Sequence, residues 1–158
     1  MSVEVFRVDD RLVHGQVVTA WTQVLQLTHI LLVDEEIAKD RFISKILTMM
    51  APAGTTVTVH GLKDGIAAIG AANEEEETRA MVLLKTPCTG WDMVEQQVKI
   101  PALCIGGMQR REDREPLTRS QYANEKEKET LRRLGERGIH IYEQTLPSMD
   151  PVDLLEFL

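Results

Sequence analysis

A mostly parallel sheet with helices on both faces is the fold class the sequence predicts, and three observations predict it. Short apolar runs alternate along the chain with stretches of helical periodicity, which is the signature of βαβ units. The runs His29–Val33 (HILLV) and Ala80–Leu84 (AMVLL) are almost wholly apolar, as central strands covered on both faces are. The chain is 158 residues long, with no internal repeat and no linker rich in Gly, Ser or Pro. One core is expected, and residues 1–158 are read as a single domain.

Each element follows from its own pattern. Val3–Val8 is a short strand, and Asp9–His14 is polar and turn-like. Across Gly15–Leu27 the residues Val17, Val18, Trp21, Val24 and Leu25 recur at helical spacing. HILLV is the second strand and ends in Asp34-Glu35-Glu36. Ala38–Met50 repeats Phe42, Ile43, Ile46, Leu47 and Met50 as a helix face, which Pro52 and Gly54 close. Thr55–Val59 is β-branched and reads as a strand. Leu62–Ala72 is a helix running into the solvated acidic stretch Glu74–Glu77. AMVLL follows, then a helix over Thr89–Val98 and a strand over Ala102–Ile105 that meets Gly106-Gly107. The stretch 107–123 has weak strand character. Asn124–Arg137 is a charged helix with Leu131 and Leu134 inward and Gly138 as its stop. Ile139–Tyr142 is a strand and Pro151–Leu158 a terminal helix. The C-terminal third is expected to add an antiparallel strand.

Composition narrows the function. Hydrophobic residues make up 43%, charged residues 27% and aromatics 4%, so the core is aliphatic. The formal net charge of −7 opposes nonspecific nucleic-acid binding, which depends on Lys and Arg neutralising phosphates. The N-terminus has no apolar h-region, and no apolar run approaches the ~20 residues that span a bilayer. A membrane role is therefore expected to run through a partner, without direct insertion. Cys88 and Cys104 form neither a CxxC pair nor a metal cluster. They are expected as free thiols in a reducing compartment, a disulfide being the other reading.

In an open α/β sheet, ligands bind beyond the carboxyl ends of the strands. The candidate loops are Asp9–His14, Asp34–Glu36, Lys85–Thr89 and Gly106–Met108. The richest is Arg7-Val8-Asp9-Asp10-Arg11-Leu12-Val13-His14-Gly15-Gln16, just before a helix start. A helix N-terminus offers unpaired N–H groups and a positive dipole end, which suit phosphate. Gly15 lets the backbone come close, and Arg11 can grip an anion with two N–H groups. His14 is a nucleophile near neutral pH, its ordinary pKa being ~6.5. Asp9 or Asp10 is placed to orient the imidazole or hold Arg11. The bland alternatives are a hydrogen-bonded surface histidine and a solvated Asp-Asp-Arg turn.

The stretch Arg7–Val17 (RVDDRLVHGQV) resembles the active-site loop of the type-4 enzyme IIB components, the mannose/fructose/sorbose family of the sugar phosphotransferase system. The likeness continues through Trp21, HILLVD, the helix Ala38–Ala51, Gly54–Val59, Val82–Pro87, Gly106-Gly107-Met108 and Leu134–Pro147. The resemblance implies a mostly parallel sheet and a cytoplasmic phosphoryl carrier. His14 would take the phosphoryl group from a phosphohistidine on a IIA protein and pass it to a sugar held by the membrane components IIC and IID. Arg11 would bind the phosphate, Asp10 would support the loop, and the Gly15 and Gln16 amides would assist. No cofactor is implied, and no metal is required when the donor is itself a phosphohistidine. One stretch departs from the family pattern: Gln109–Arg114 (QRREDR) replaces a Gly-containing turn. It is expected to be a solvated loop, with a docking face for an acidic partner or phosphate as the alternative.

Other residues are weaker candidates. His29, His60 and His140 lack a surrounding constellation, and His140 is expected to face solvent. Lys85-Thr86 ends a strand, where Thr86 or Thr89 is as well suited to capping as to ligand contact. Gly65–Gly70 (GIAAIG) lacks the dinucleotide spacing. Trp21 and Trp91 are expected to pack on the sheet. Asp34 after HILLV suggests a rival function, a receiver-like regulatory module phosphorylated on that aspartate. A second rival is an α/β protein that binds a small molecule without a covalent step.

Overall fold

The computed structural model describes residues 3–158. In chain order the elements are β1 (Val3–Asp9), α1 (Gly15–Leu25), β2 (His29–Val33), α2 (Glu35–Lys39), α3 (Arg41–Met49), β3 (Thr56–His60), α4 (Leu62–Glu74), β4 (Ala80–Leu84), α5 (Pro87–Glu95), β5 (Ala102–Gly107), β6 (Glu115–Pro116), β7 (Tyr122–Ala123), α6 (Glu125–Glu136), β8 (His140–Glu143) and β9 (Val152–Asp153). A 3₁₀ turn at Leu155–Phe157 follows. The main sheet runs β3-β2-β4-β1-β5-β8-β9. Its pairs are parallel except β8 with β9, and β6 pairs antiparallel with β7 as a separate ribbon.

Helices cover both faces. Val18 and Trp21 of α1, Ile37 of α2 and Leu47 of α3 join one core cluster. Ile69 of α4, Met93 of α5, and Leu131 and Leu134 of α6 join the other. The strands between them, β2 and β4 above all, contribute to both clusters, which is why HILLV and AMVLL are apolar throughout. The chain leaves β1 toward the α1 face, whereas β4 and β5 on either side lead to the opposite face. That divergence opens a crevice above the carboxyl end of β1.

Three elements differ from the sequence expectation. The single helix expected over Ala38–Met50 is two helices, α2 and α3, broken at Asp40. The Asp34 carboxylate accepts the Ile37 amide and the Asp40 carboxylate the Ile43 amide, each at 3.0 Å. Apolar periodicity runs through the break, so the caps alone announced it. The helix expected at Thr89 begins at Pro87, with Thr86 as its N-cap. The terminal helix expected over Pro151–Leu158 is instead β9 and the 3₁₀ turn. Here the open edge of β8 takes up Val152 and Asp153, and Leu154 is fully buried.

Candidate functional site

Six parallel strands end at one edge of the sheet, and the loop after β1 stands at its middle. Asp9 closes the strand, and the Leu12 amide returns to its carbonyl at 3.0 Å. Leu12 takes φ 63° and Gly15 φ 37°. The left-handed turn at Leu12 costs a non-glycine residue about 1–3 kcal/mol. It aims the Leu12 carbonyl at the His14 ring, whose Nδ1 lies 2.9 Å from it. A carbonyl only accepts, so Nδ1–H donates. Nε2 is covered and has no hydrogen-bond partner among the described residues.

His14 is also the N-cap of α1, and its side chain does not cap the helix. The contrast with the other helices is informative. Asp34, Asp40, Thr86 and Asn124 accept amides at the starts of α2, α3, α5 and α6. The Glu35 carboxylate accepts the Leu62 amide at the start of α4. Among the described residues, only α1 begins without a side-chain acceptor. Its amides at Gly15 and Gln16 therefore remain free for an anion. His14, Gly15 and Gln16 line a pocket of about 430 Å³ together with Gln23, Met50 and Pro52.

Arg11 is held from behind. Its Nε and Nη2 donate to the two oxygens of Asp9 at 2.9 and 3.0 Å. This bond to Asp9 raises the Arg11 pKa above its ordinary value. Nη1 makes no hydrogen bond among the described residues, so one edge of the guanidinium stays available. Asp9 itself is buried and also meets Arg7 at 3.3 Å. Arg7 is enclosed too. It donates to the Gln144 and Thr145 carbonyls at 2.7 and 2.9 Å and stacks over Trp21 at 5.0 Å. A side chain at either glycine of the adjoining corner would displace this network. A Cβ on Gly106 would run into the Arg7 guanidinium, and one on Gly107 would lie 2.6 Å from the Asp9 carboxylate.

Asp10 turns the other way. Its Oδ2 accepts from the Gln109 amide at 2.9 Å and from Arg114 at 2.6 Å. Arg114 also forks onto Glu127 at 2.9 and 2.7 Å. Burial works against the Arg114 charge, but the bonds to Glu127 and Asp10 outweigh it and leave the pKa raised. The segment Gln109–Arg114 is thus a solvated loop only in part. Arg110 and Arg111 are exposed, whereas Arg114 is buried and bolts the segment to the first loop. Arg7 and Arg114 were missed as members of the site's framework. The signal for Arg7 was a charge inside an apolar strand. Nothing in the sequence pointed Arg114 at Asp10.

The remaining candidates lie elsewhere. Asp34 is a helix cap at 8% exposure, its carboxylate engaged by the Ile37 amide, which disfavours the receiver reading. Thr86 caps α5, and GIAAIG lies within α4. His60 bonds Thr58 at 2.8 Å, and burial lowers its pKa. His140 is exposed and stacks on Tyr142. Trp21 is buried against the sheet, while Trp91 is half-buried beneath Arg133 and Arg137. Cys88 and Cys104 are free thiols. Among the described residues no helix is long and apolar enough to cross a membrane. Among the described residues no group of His, Cys, Asp or Glu is arranged to hold a metal ion.

A doubly covered parallel sheet with a histidine-headed, uncapped helix at its central crevice places the chain among open α/β proteins whose sites lie beyond the carboxyl ends of parallel strands. The comparisons supply the family. The model for "PTS system sorbose subfamily IIB component" matches residues 3–158, and the chain belongs to that family. The mannose-specific EIIAB component of the phosphotransferase system from Escherichia coli (strain K12) is 32% identical over 158 residues, covering 98% of this chain and 49% of that protein. The sorbose-specific EIIB component from Klebsiella pneumoniae is 30% identical over 156 residues, covering 99% of this chain and 94% of that one. The chain therefore spans about half the length of the mannose-specific relatives and nearly all of the sorbose-specific one. The crystal structure of the IIBSor domain of the Klebsiella pneumoniae sorbose permease superposes with a TM-score of 0.90 at 28% identity, covering 99% of this chain and 96% of that one.

Proposed function

We propose that the chain is the phosphoryl-carrying IIB unit of a sugar phosphotransferase system, acting as one domain over residues 1–158 in the cytoplasm. His14 accepts a phosphoryl group from a phosphohistidine on a IIA protein. It then gives that group to a sugar presented by membrane components IIC and IID. The observation that carries this reading is the free N-terminus of α1 with His14 at its head, in a fold whose other helices are capped by side chains.

Each residue then has a physical task. The imidazole turns toward the pocket and its lone pair attacks phosphorus. The P–N bond to the donor ring breaks as the new one forms, and the electron pair returns to the donor ring. Little covalent work falls to the protein, so positioning and charge stabilisation dominate. The free Nη1 edge of Arg11 meets the equatorial oxygens, backed by Asp9. The Gly15 and Gln16 amides add fixed dipoles at no reorganisation cost. Asp10 holds the loop through Gln109 and Arg114.

His14→Ala is expected to abolish labelling by a phosphorylated IIA donor while the unfolding midpoint stays within a few degrees of wild type. The wild-type label should be labile in acid and stable in base, as a phosphoramidate bond is. Persistent labelling of the alanine variant, or a base-labile acyl phosphate, refutes the assignment.

A further inference from the structure

We propose that the exposed face of α3, continuous with the His14 pocket, is the surface on which the phosphorylated donor protein docks, and that the donor meets it with an apolar centre rimmed by carboxylates. This inference rests on the relay reading above and adds to it where the partner sits and what chemistry it presents.

Only Leu47 of α3 is buried. Phe42 is 72% exposed and Met49 75%, with Ile46 at 39% and Met50 at 45%. Their spacing of four, three and one residues places them on one stripe of the helix. Single exposed apolar side chains are ordinary, but a contiguous stripe marks an interaction surface. This stripe ends at the reacting group, because Met50 and Pro52 wall the same pocket as His14. A body lying along α3 therefore reaches the imidazole.

Charge selects the occupant. The chain carries a net −7, yet residues 11–33 contain no Asp or Glu, and neither do residues 41–63. Those stretches supply α1 and α3, the two helices flanking the pocket. Arg41 and Lys45 are exposed, each one residue before Phe42 and Ile46 of the stripe. An incoming phosphohistidine is an anion, and a carboxylate rim around it is attracted here while the rest of the acidic chain repels it. A second copy of this chain would set Arg41 and Lys45 against the same cationic side.

The test uses the histidine-phosphorylated IIA protein of the same genome as donor, with phosphoramidate as a small donor that needs no docking. Phe42→Ser combined with Met49→Ser is expected to raise KM for the protein donor about tenfold and leave kcat within about twofold. Labelling of His14 by phosphoramidate should not change. Arg41→Glu combined with Lys45→Glu removes no buried group. It should raise the same KM and flatten its dependence on salt. Unchanged KM in both double variants overturns the proposal. So does unchanged KM accompanied by loss of self-association in sedimentation, or by loss of binding to phosphatidylglycerol vesicles, which would assign the stripe to another occupant. If neither donor labels wild-type His14, the relay reading itself fails, and the docking proposal falls with it.

Discussion

Asp9 and Asp10 are chain neighbours that head two different charge networks, and the contrast between these networks explains how the first loop is held. The inner network joins Arg7, Asp9 and Arg11, all from the end of β1 and the turn after it. Arg7 and Asp9 share one side of β1, and the turn that the Leu12 amide closes on the Asp9 carbonyl returns Arg11 to the same carboxylate, so the network is local to the strand end. The outer network joins Asp10 to Arg114, 104 residues away, and through it to Glu127. It exists only when the stretch from Met108 to Asn124 has closed over the sheet edge. The inner network sets the direction of the Arg11 guanidinium. The outer one fixes the loop against a neighbouring segment.

Breaking the inner network should have the larger effect. Asp9→Asn keeps the shape but removes the charge shared by two guanidinium groups, of which Arg7 is fully enclosed. Removing one partner of such a buried pair costs about 3–5 kcal/mol. Arg11 also loses its backing, so phosphoryl transfer should fall roughly 10²-fold, as for a small misplacement of a reacting group. Urea denaturation and single-turnover transfer measure the two effects. Transfer at the wild-type rate in a folded Asp9→Asn protein would show that Arg11 does not depend on Asp9 for its direction.

Breaking the outer network should cost less. Arg114→Met leaves Glu127 with the Asn124 amide at 3.0 Å and Asp10 with the Gln109 amide at 2.9 Å. The capping box of α6, in which Asn124 accepts the Glu127 amide in return, therefore survives. A loss of about 2–3 kcal/mol is expected. Transfer should slow by less than about tenfold, because the inner network still orients Arg11. If Arg114→Met impairs transfer as severely as Asp9→Asn while stability changes little, the outer network is part of the transfer machinery and the contrast fails.

The inner network was also the more legible in sequence. A polar cluster between an apolar strand and a helical repeat marks a strand-to-helix loop, and Arg11, His14 and Gly15 stand out within it. What the sequence left open was which aspartate holds Arg11, since either fits the spacing. Alternation along β1 puts only Arg7 and Asp9 on one side; the turn closed by the Leu12 amide on the Asp9 carbonyl is what returns Arg11 to that carboxylate, and spacing alone does not decide it. The outer network was not legible, because a contact across 104 residues leaves no local pattern. The same limit explains the C-terminus. Val152 and Asp153 form a strand because β8 presents a free edge to them, a fact of tertiary packing that their own residue types do not encode. Asp40 is a different case. Its capping signal was present, and an uninterrupted apolar period concealed it.

His60 provides the control for both networks and the smallest expected effect. It ends β3 at the same edge of the sheet, but it bonds Thr58 and joins neither network. Burial lowers its pKa from the ordinary 6.5, so the unfolded chain binds the proton more readily than the folded one. Stability then rises with pH. The stabilisation is fully present above pH 6.5 and is lost as pH falls through the lowered folded value. His60 is only partly enclosed, so solvent screening keeps the difference small. His60→Gln should flatten the fall of stability as pH drops below the ordinary histidine value of 6.5 and leave phosphoryl transfer unchanged. A transfer defect in that variant would mean that groups at this edge act on His14 without belonging to either network, and the division drawn between Asp9 and Asp10 would then be too simple.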